Sequence, residues 1–294
     1  MIQTADTAPS YDAAQLIARP MFWEALKGEA SDLLKVHAVA PEVVHYLADI
    51  RHWILIHMAI ALHFERKIDP AAPPLTPKKL LTELAGTGIA SRNTVQSFLR
   101  ELLRIKLTEP PKTGTLRQHA TEVSAKSEKL MFVYIDIHLR ALDMVDGGGR
   151  SALFNRTPTL LHKLQPAFAR KICLNPAWYN PPAMVNCFTN SVSGSSILHE
   201  MVLSTQSNEP DGYGRFWLGT VSTAGLAARY HVSDAHISRI LIKAQQVGGI
   251  GWENERRRGA CWLSTTLRDA YLLWQAEKLA ALSSAFNRCV SATA

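Results

Sequence analysis

Apolar side chains recur every three to four residues along most of this chain, the period of helices that bury one face. Residues 11–36 read as helical, with an interruption at Pro20. Pro41 suits the first turn of a helix, and PEVVHYLADIRHWILIHMAIALHFER predicts one long helix reaching about Arg66. Its middle, residues 53–62, is apolar nearly all round and so calls for burial against several neighbours. A proline-rich break at 69–74 follows. Thr76 and Pro77 then predict an N-cap and first turn, and Gly86-Thr87-Gly88 a connection. Ser91 caps a helix from Arg92 to about Lys106, with Val95, Phe98, Leu99 and Leu102 turned inward. Residues 110–114 are expected as a turn or wing tip between runs 105–109 and 116–123. A helix from Lys126 to about Met144 closes the first half, and Gly147-Gly148-Gly149 reads as a linker.

The second half repeats much of this with clearer punctuation. Residues 150–165 are helical in pattern, 175–196 are expected as a proline-interrupted loop, 196–205 as a short helix and 207–217 as another loop. The stretch 222–266 then predicts a short helix, a turn at His231-Val232-Ser233, and a second helix. That helix buries Ile237, Ile240, Leu241 and Ala244 at i, i+3, i+4, i+7. Gly248-Gly249 stops it, because glycine accepts the left-handed conformation of a helix C-cap. Two strand-like runs, 250–253 and 260–263, flank a charged tip at 254–259.

Sliding the chain by about 142 residues aligns Ser91 with Ser233, Val95 with Ile237, Phe98 with Ile240 and Leu99 with Leu241. The same slide puts His57 on His199. A slip of about two residues in the hairpin then pairs Ser124 with Ser264, Tyr134 with Trp274 and Leu142 with Leu282. An ordered series of this kind predicts an internal duplication, with units at 1–149 and 150–294.

Charge changes the picture more than composition does. The net charge is +7 with a pI near 9.3, which favours a polyanionic partner. Residues 1–149 carry 17 basic and 17 acidic side chains, and the remainder 15 and 8. Locally, 76–117 holds eight basic against three acidic residues, and 222–258 six against three. No run of about 18 apolar residues predicts a membrane span. The polar N-terminus lacks a signal pattern, and residues 1–10 read as disordered. Cys173, Cys187, Cys261 and Cys289 lack ligand or disulfide-framework spacing, so reduced thiols in a cytoplasmic protein are expected. His45, His52 and His63 share a helix face but span about 27 Å at the helical rise, too far for one metal. No HExxH, phosphate-binding loop or dinucleotide fingerprint occurs, and no metal, cofactor or enzymatic activity is expected.

Leu226-Ala227, Val232-Ser233, His236-Ile237-Ser238-Arg239 and Gly248-Gly249, followed by Glu255-Arg256-Arg257-Arg258 and Leu263-Ser264, resemble the MarR family of bacterial transcription regulators. The resemblance covers about 76–144 and 222–285, and the first tip, 110–117, departs from the family's Asp/Arg-rich wing. It implies a mainly α fold with small β-wings: two tandem winged helix-turn-helix units joined by long helices, with reading heads at about 76–123 and 222–266. That family forms homodimers with interleaved terminal helices, so the chain looks like such a dimer fused into one polypeptide. The implied function is transcription regulation on double-stranded DNA, by a monomeric pseudo-dimer or a homodimer. The alternatives are a tandem winged-helix replication initiator and a winged-helix protein-interaction scaffold.

A helix fits the major groove, where base edges are read by side chains with directional donors and acceptors. The first candidate set is Arg92, Asn93, Thr94, Gln96, Ser97 and Arg100; the second is Ser233, His236, Ser238, Arg239 and Lys243. The two sets differ, which predicts an asymmetric operator with unlike half-sites. Lys78, Lys79, Lys112, Arg117 and Arg256, Arg257 and Arg258 are expected on phosphates, which fix register and confer salt dependence. Asp234 is expected to favour the helix N-terminus or to accept from cytosine. A pocket for a small aromatic or apolar effector, implied by the resemblance, would draw on Trp23, Trp53, His57, Met58, His199 and Trp274.

Overall fold

The computed structural model describes residues 8–111 and 120–291, and of Arg256 the backbone alone. The chain is mainly helical with small antiparallel sheets. In chain order, α1 (Ala13–Ile17), α2 (Phe22–Val39), α3 (Pro41–Leu47) and α4 (Ile50–Ile68) come first. Then α5 (Pro77–Glu83) and α6 (Arg92–Arg104) lead into β1 (Thr108–Glu109), β2 (Glu122–Val123) and α7 (Ala125–Asp146). The second half opens with α8 (Arg150–Arg156), α9 (Leu161–Ile172), α10 (Pro176–Tyr179), α11 (Ala183–Thr189) and α12 (Gly194–Leu203). It ends with β3 (Arg215–Gly219), α13 (Thr223–Tyr230), α14 (Asp234–Gln246), β4 (Ile250–Asn254), β5 (Arg258–Ser264) and α15 (Thr265–Ser291).

Two compact units interleave along the sequence and do not meet at Gly149. The first takes the described parts of Met1–Phe22, Trp53–Tyr179 and Ala276–Ala294; the second takes Trp23–His52 and Asn180–Gln275. Each unit contains one of the two helix-pair-and-hairpin stretches. In the first, the apolar middle of α4 is buried as its composition demands, with Ile54, Leu55, Met58 and Ala59 at zero exposure. In the second, Phe216, Ile237, Ile240, Ile250 and Leu263 join β3, α14, β4 and β5 in one core.

Several local expectations are corrected. The long helix predicted from Pro41 breaks after Leu47, because Asp49 Oδ1 accepts from Arg51 N at 3.0 Å and His52 N at 3.1 Å and caps a new helix. The expected loop at 175–196 holds two short helices, each started by a proline that supplies the first-turn φ or the extended cap. The expected loop at 207–217 ends in β3, which lies against β5 in a β3-β5-β4 sheet.

Gly147–Gly149 is a tight turn, not a free linker. Gly147 ends α7 and Gly149 starts α8, both left-handed at φ 71° and 66°. The Arg150 side chain is fully buried there, donating to Asp146 Oδ1 and Oδ2 at 2.7 Å each and to Pro9 O at 2.8 Å. Burial alone would raise the Asp146 carboxyl, but bonds from Arg150 and Tyr11 hold it below the ordinary carboxylate range.

Candidate nucleic-acid interface

In the first unit, Thr76 Oγ1 caps α5 by accepting from Lys79 N at 3.1 Å, and Ser91 Oγ caps α6 by accepting from Thr94 N at 3.3 Å. Helix α6 buries Val95, Phe98, Leu99 and Leu102 and turns Arg92, Asn93, Gln96, Ser97 and Arg100 to solvent. Thr94 is half-buried with its hydroxyl 2.9 Å from Ser91 Oγ, so it serves the cap before any base. Arg100 Nε donates to Gln96 O one turn back, leaving its outer nitrogens free to project. Lys78 is exposed, whereas Lys79 is ion-paired with Glu83, which also accepts from Arg170 Nη1 at 2.7 Å. Burial would raise the Glu83 carboxyl, but those two cations outweigh it and hold it low, so Lys79 is committed to its own fold. Lys112 and Arg117 lie outside the described residues.

The second unit presents the same arrangement. Ser222 caps α13, His231 closes it in the left-handed conformation at φ 53°, and Ser233 Oγ caps α14 by accepting from His236 N at 3.2 Å. The predicted stripe Ile237, Ile240, Leu241 and Ala244 is buried, and Ser233, Asp234, Arg239 and Lys243 are exposed. Ser238 is half-buried, and His236 is half-buried with Nε2 3.0 Å from Val192 O, a bond that occupies one ring nitrogen. Arg239 Nε donates to Ala235 O, the same one-turn return that Arg100 makes.

The two helix pairs agree bond for bond at their exits. Helices α6 and α14 are each 13 residues long and follow a capping serine. Leu107 N donates to Leu102 O at 2.8 Å, and Gly249 N to Ala244 O at 2.9 Å. Ser124 N donates to Leu107 O at 3.0 Å, and Ser264 N to Gly249 O at 2.9 Å. Lys106 takes at φ 59° the left-handed position that Gly248 takes at 72°. The copies differ in their sheets. Near β1 and β2 a single bridge, Leu75 to Thr121, stands where the second unit has all of β3.

At the second hairpin tip the three arginines are unequal. Arg258 is exposed and starts β5 opposite Asn254. Arg257 has φ 59° and folds back, its guanidinium carbon 6.0 Å from the Trp252 ring centroid. Of Arg256 only the backbone is described, in the short 3-10 turn 255–257.

Of the six residues expected at an effector pocket, Trp53 is half-buried and Trp23, His57, Met58, His199 and Trp274 are buried. Trp53 stacks on His57 at 3.8 Å between ring centroids, within T-shaped reach of Phe168, and Met58 is fully buried beside them. Burial holds the His57 imidazole well below its ordinary pKa, with His138 and Lys278 adding to the effect. In the second unit, Trp23 packs edge-on against Tyr271, whose hydroxyl lies 2.8 Å from His199 Nδ1, and Trp274 is 3 % exposed. A cleft of about 550 Å³ does open in that unit, lined by other residues, among them His37, Pro41, Glu200, Arg229, Tyr230 and His231. Composition could not have located it, since its walls come from α2, α3, α12 and α13.

Among the described residues no group of three or more His, Cys, Asp or Glu side chains could hold a metal ion, and no helix is long and apolar enough to cross a membrane. No protein family, curated protein or solved structure matches the chain.

Proposed function

We propose that this chain is a transcription regulator that binds double-stranded DNA sequence-specifically through two winged helix-turn-helix heads in one polypeptide, as in a fused MarR-like dimer. The observation that carries this reading is the pair of heads. Each has a serine-capped helix of 13 residues, the same backbone bonds into a hairpin, and arginines on its exposed face. Helices of this kind enter the major groove, and the hairpins reach the backbone or the minor groove. The exchange of segments along the chain also supports it. Residues 23–52 of the first half join the second head, and 150–179 of the second half join the first, as interleaved terminal helices would. Arg92, Gln96, Arg100 and Arg239 read bases in this account, Lys78, Lys243 and Arg258 contact phosphate, and an effector would take the cleft beside His231.

Anisotropy titration of genomic duplex fragments at several salt concentrations tests the reading. Replacing Arg256, Arg257 and Arg258 with alanine should weaken binding to all sequences alike. Because Arg257 is stacked on Trp252, the slope of log K against log salt should fall by about one to two, not about three. An unchanged slope would remove the hairpin from the interface, and absence of duplex binding at low salt would end the reading.

A further inference from the structure

The outer face of the β3-β5-β4 sheet carries side chains that neither the core nor the proposed duplex contact uses. Residues directly opposite in an antiparallel pair point to the same face. Trp217 pairs with Trp262 across β3 and β5, and Trp262 pairs with Gly251 across β4. Phe216, Leu263 and Ile250 occupy the other, buried face. Both tryptophans are half-buried, and Tyr213, just before β3, is 83 % exposed.

These rings are held in place. A Cβ at Gly251 would stand 2.1 Å from Trp262 Cζ2, so only glycine lets the indole lie flat across β4. Trp217 Nε1 donates to Asp211 Oδ2 at 3.0 Å. Arg215 lies between Tyr213 and Trp262, its guanidinium carbon 5.0 Å and 5.1 Å from the two ring centroids. Asp211 accepts from Tyr213 N, Arg215 N and Trp217 Nε1, and the Arg215 charge acts on the same carboxylate. The face therefore offers fixed rings and a guanidinium lodged between two of them.

We infer that this face is a stacking platform for unpaired DNA bases, with the exposed Tyr213 ring on a base and Arg215, lodged between Tyr213 and Trp262, on the phosphates. Rings with a flanking arginine suit single strands, because every base has a π-face and the backbone is anionic. A protein partner would need a larger apolar patch than one exposed tyrosine and two half-buried indoles provide. The first unit cannot copy the device, since Thr108, Glu109, Glu122 and Val123 make up its hairpin strands.

The test uses the full chain with a labelled thymidine oligonucleotide of about 20 nucleotides, its RNA counterpart, and a duplex of equal length. Tyr213→Ala, at an exposed position, should weaken single-strand binding by roughly five- to a hundredfold, the range a stacked base carries. Tyr213→Phe should restore it, and Arg215→Ala should weaken it further while duplex affinity moves less than about twofold. Equal single-strand affinity in wild type and Tyr213→Ala overturns the platform, as does failure of phenylalanine to rescue or tighter binding of the RNA strand. Loss of duplex binding with the single-strand results intact would count against the regulator reading alone.

Discussion

His37 shows how burial sets the behaviour of a single residue. It is 3 % exposed, with Nδ1 2.9 Å from Ser196 Oγ and its ring 5.0 Å from that of Tyr230. Burial, then the nearby His45 and His231, lower its pKa from 6.5 to about 4. The unfolded chain takes up a proton on this imidazole near pH 6.5 while the folded chain refuses it until about pH 4. The stability it contributes is thus complete above 6.5 and is lost as pH falls toward 4. Full linkage would amount to about 3 kcal/mol. Urea midpoints measured from about pH 7 to about pH 4.5 should fall more steeply for wild type than for His37→Asn. Parallel slopes would mean that the folded site accepts the proton. Nothing in the sequence marks His37, because its surroundings come from α12 and α13.

At the scale of elements, the caps and stripes were legible because they are local. Ser91, Ser233, Thr76 and Pro77 act within a turn of their own positions, and a buried face repeats with the helix. The glycine turn is not legible in this way, for the opposite reason. Three glycines look like a flexible linker until Arg150 is placed on Asp146 and Pro9 O. A flexible linker would tolerate substitution; this turn should not. Gly149→Ala should cost about 1 kcal/mol from its left-handed φ. Arg150→Met should cost about 3–5 kcal/mol by leaving the Asp146 carboxylate short of its buried partner. Chemical denaturation of both variants checks this, and two unchanged midpoints would restore the linker.

For the whole molecule, the proposed two reading heads need not read the same bases twice. The outward residues of α6 and α14 differ, with Gln96 and Arg100 on one and Arg239 and Lys243 on the other. Gln96→Ala and Arg239→Ala should each lose about 1–3 kcal/mol of discrimination at one base position. Those positions should fall in different half-sites when every single-base variant of a bound duplex is titrated. If both changes relaxed the same position, two unlike reading heads would be wrong.

The sequence by itself determined the helical period, the serine caps, the duplicated order of elements and the basic stretches, since each depends on residues a few positions apart. Tertiary structure alone decided which of those residues face outward unencumbered. It committed Lys79 to Glu83 and folded Arg257 over Trp252. It also paired β3 with β5 and divided the chain into interleaved units. Each of those outcomes turns on partners that only folding brings within bonding distance, which no local period or cap can encode.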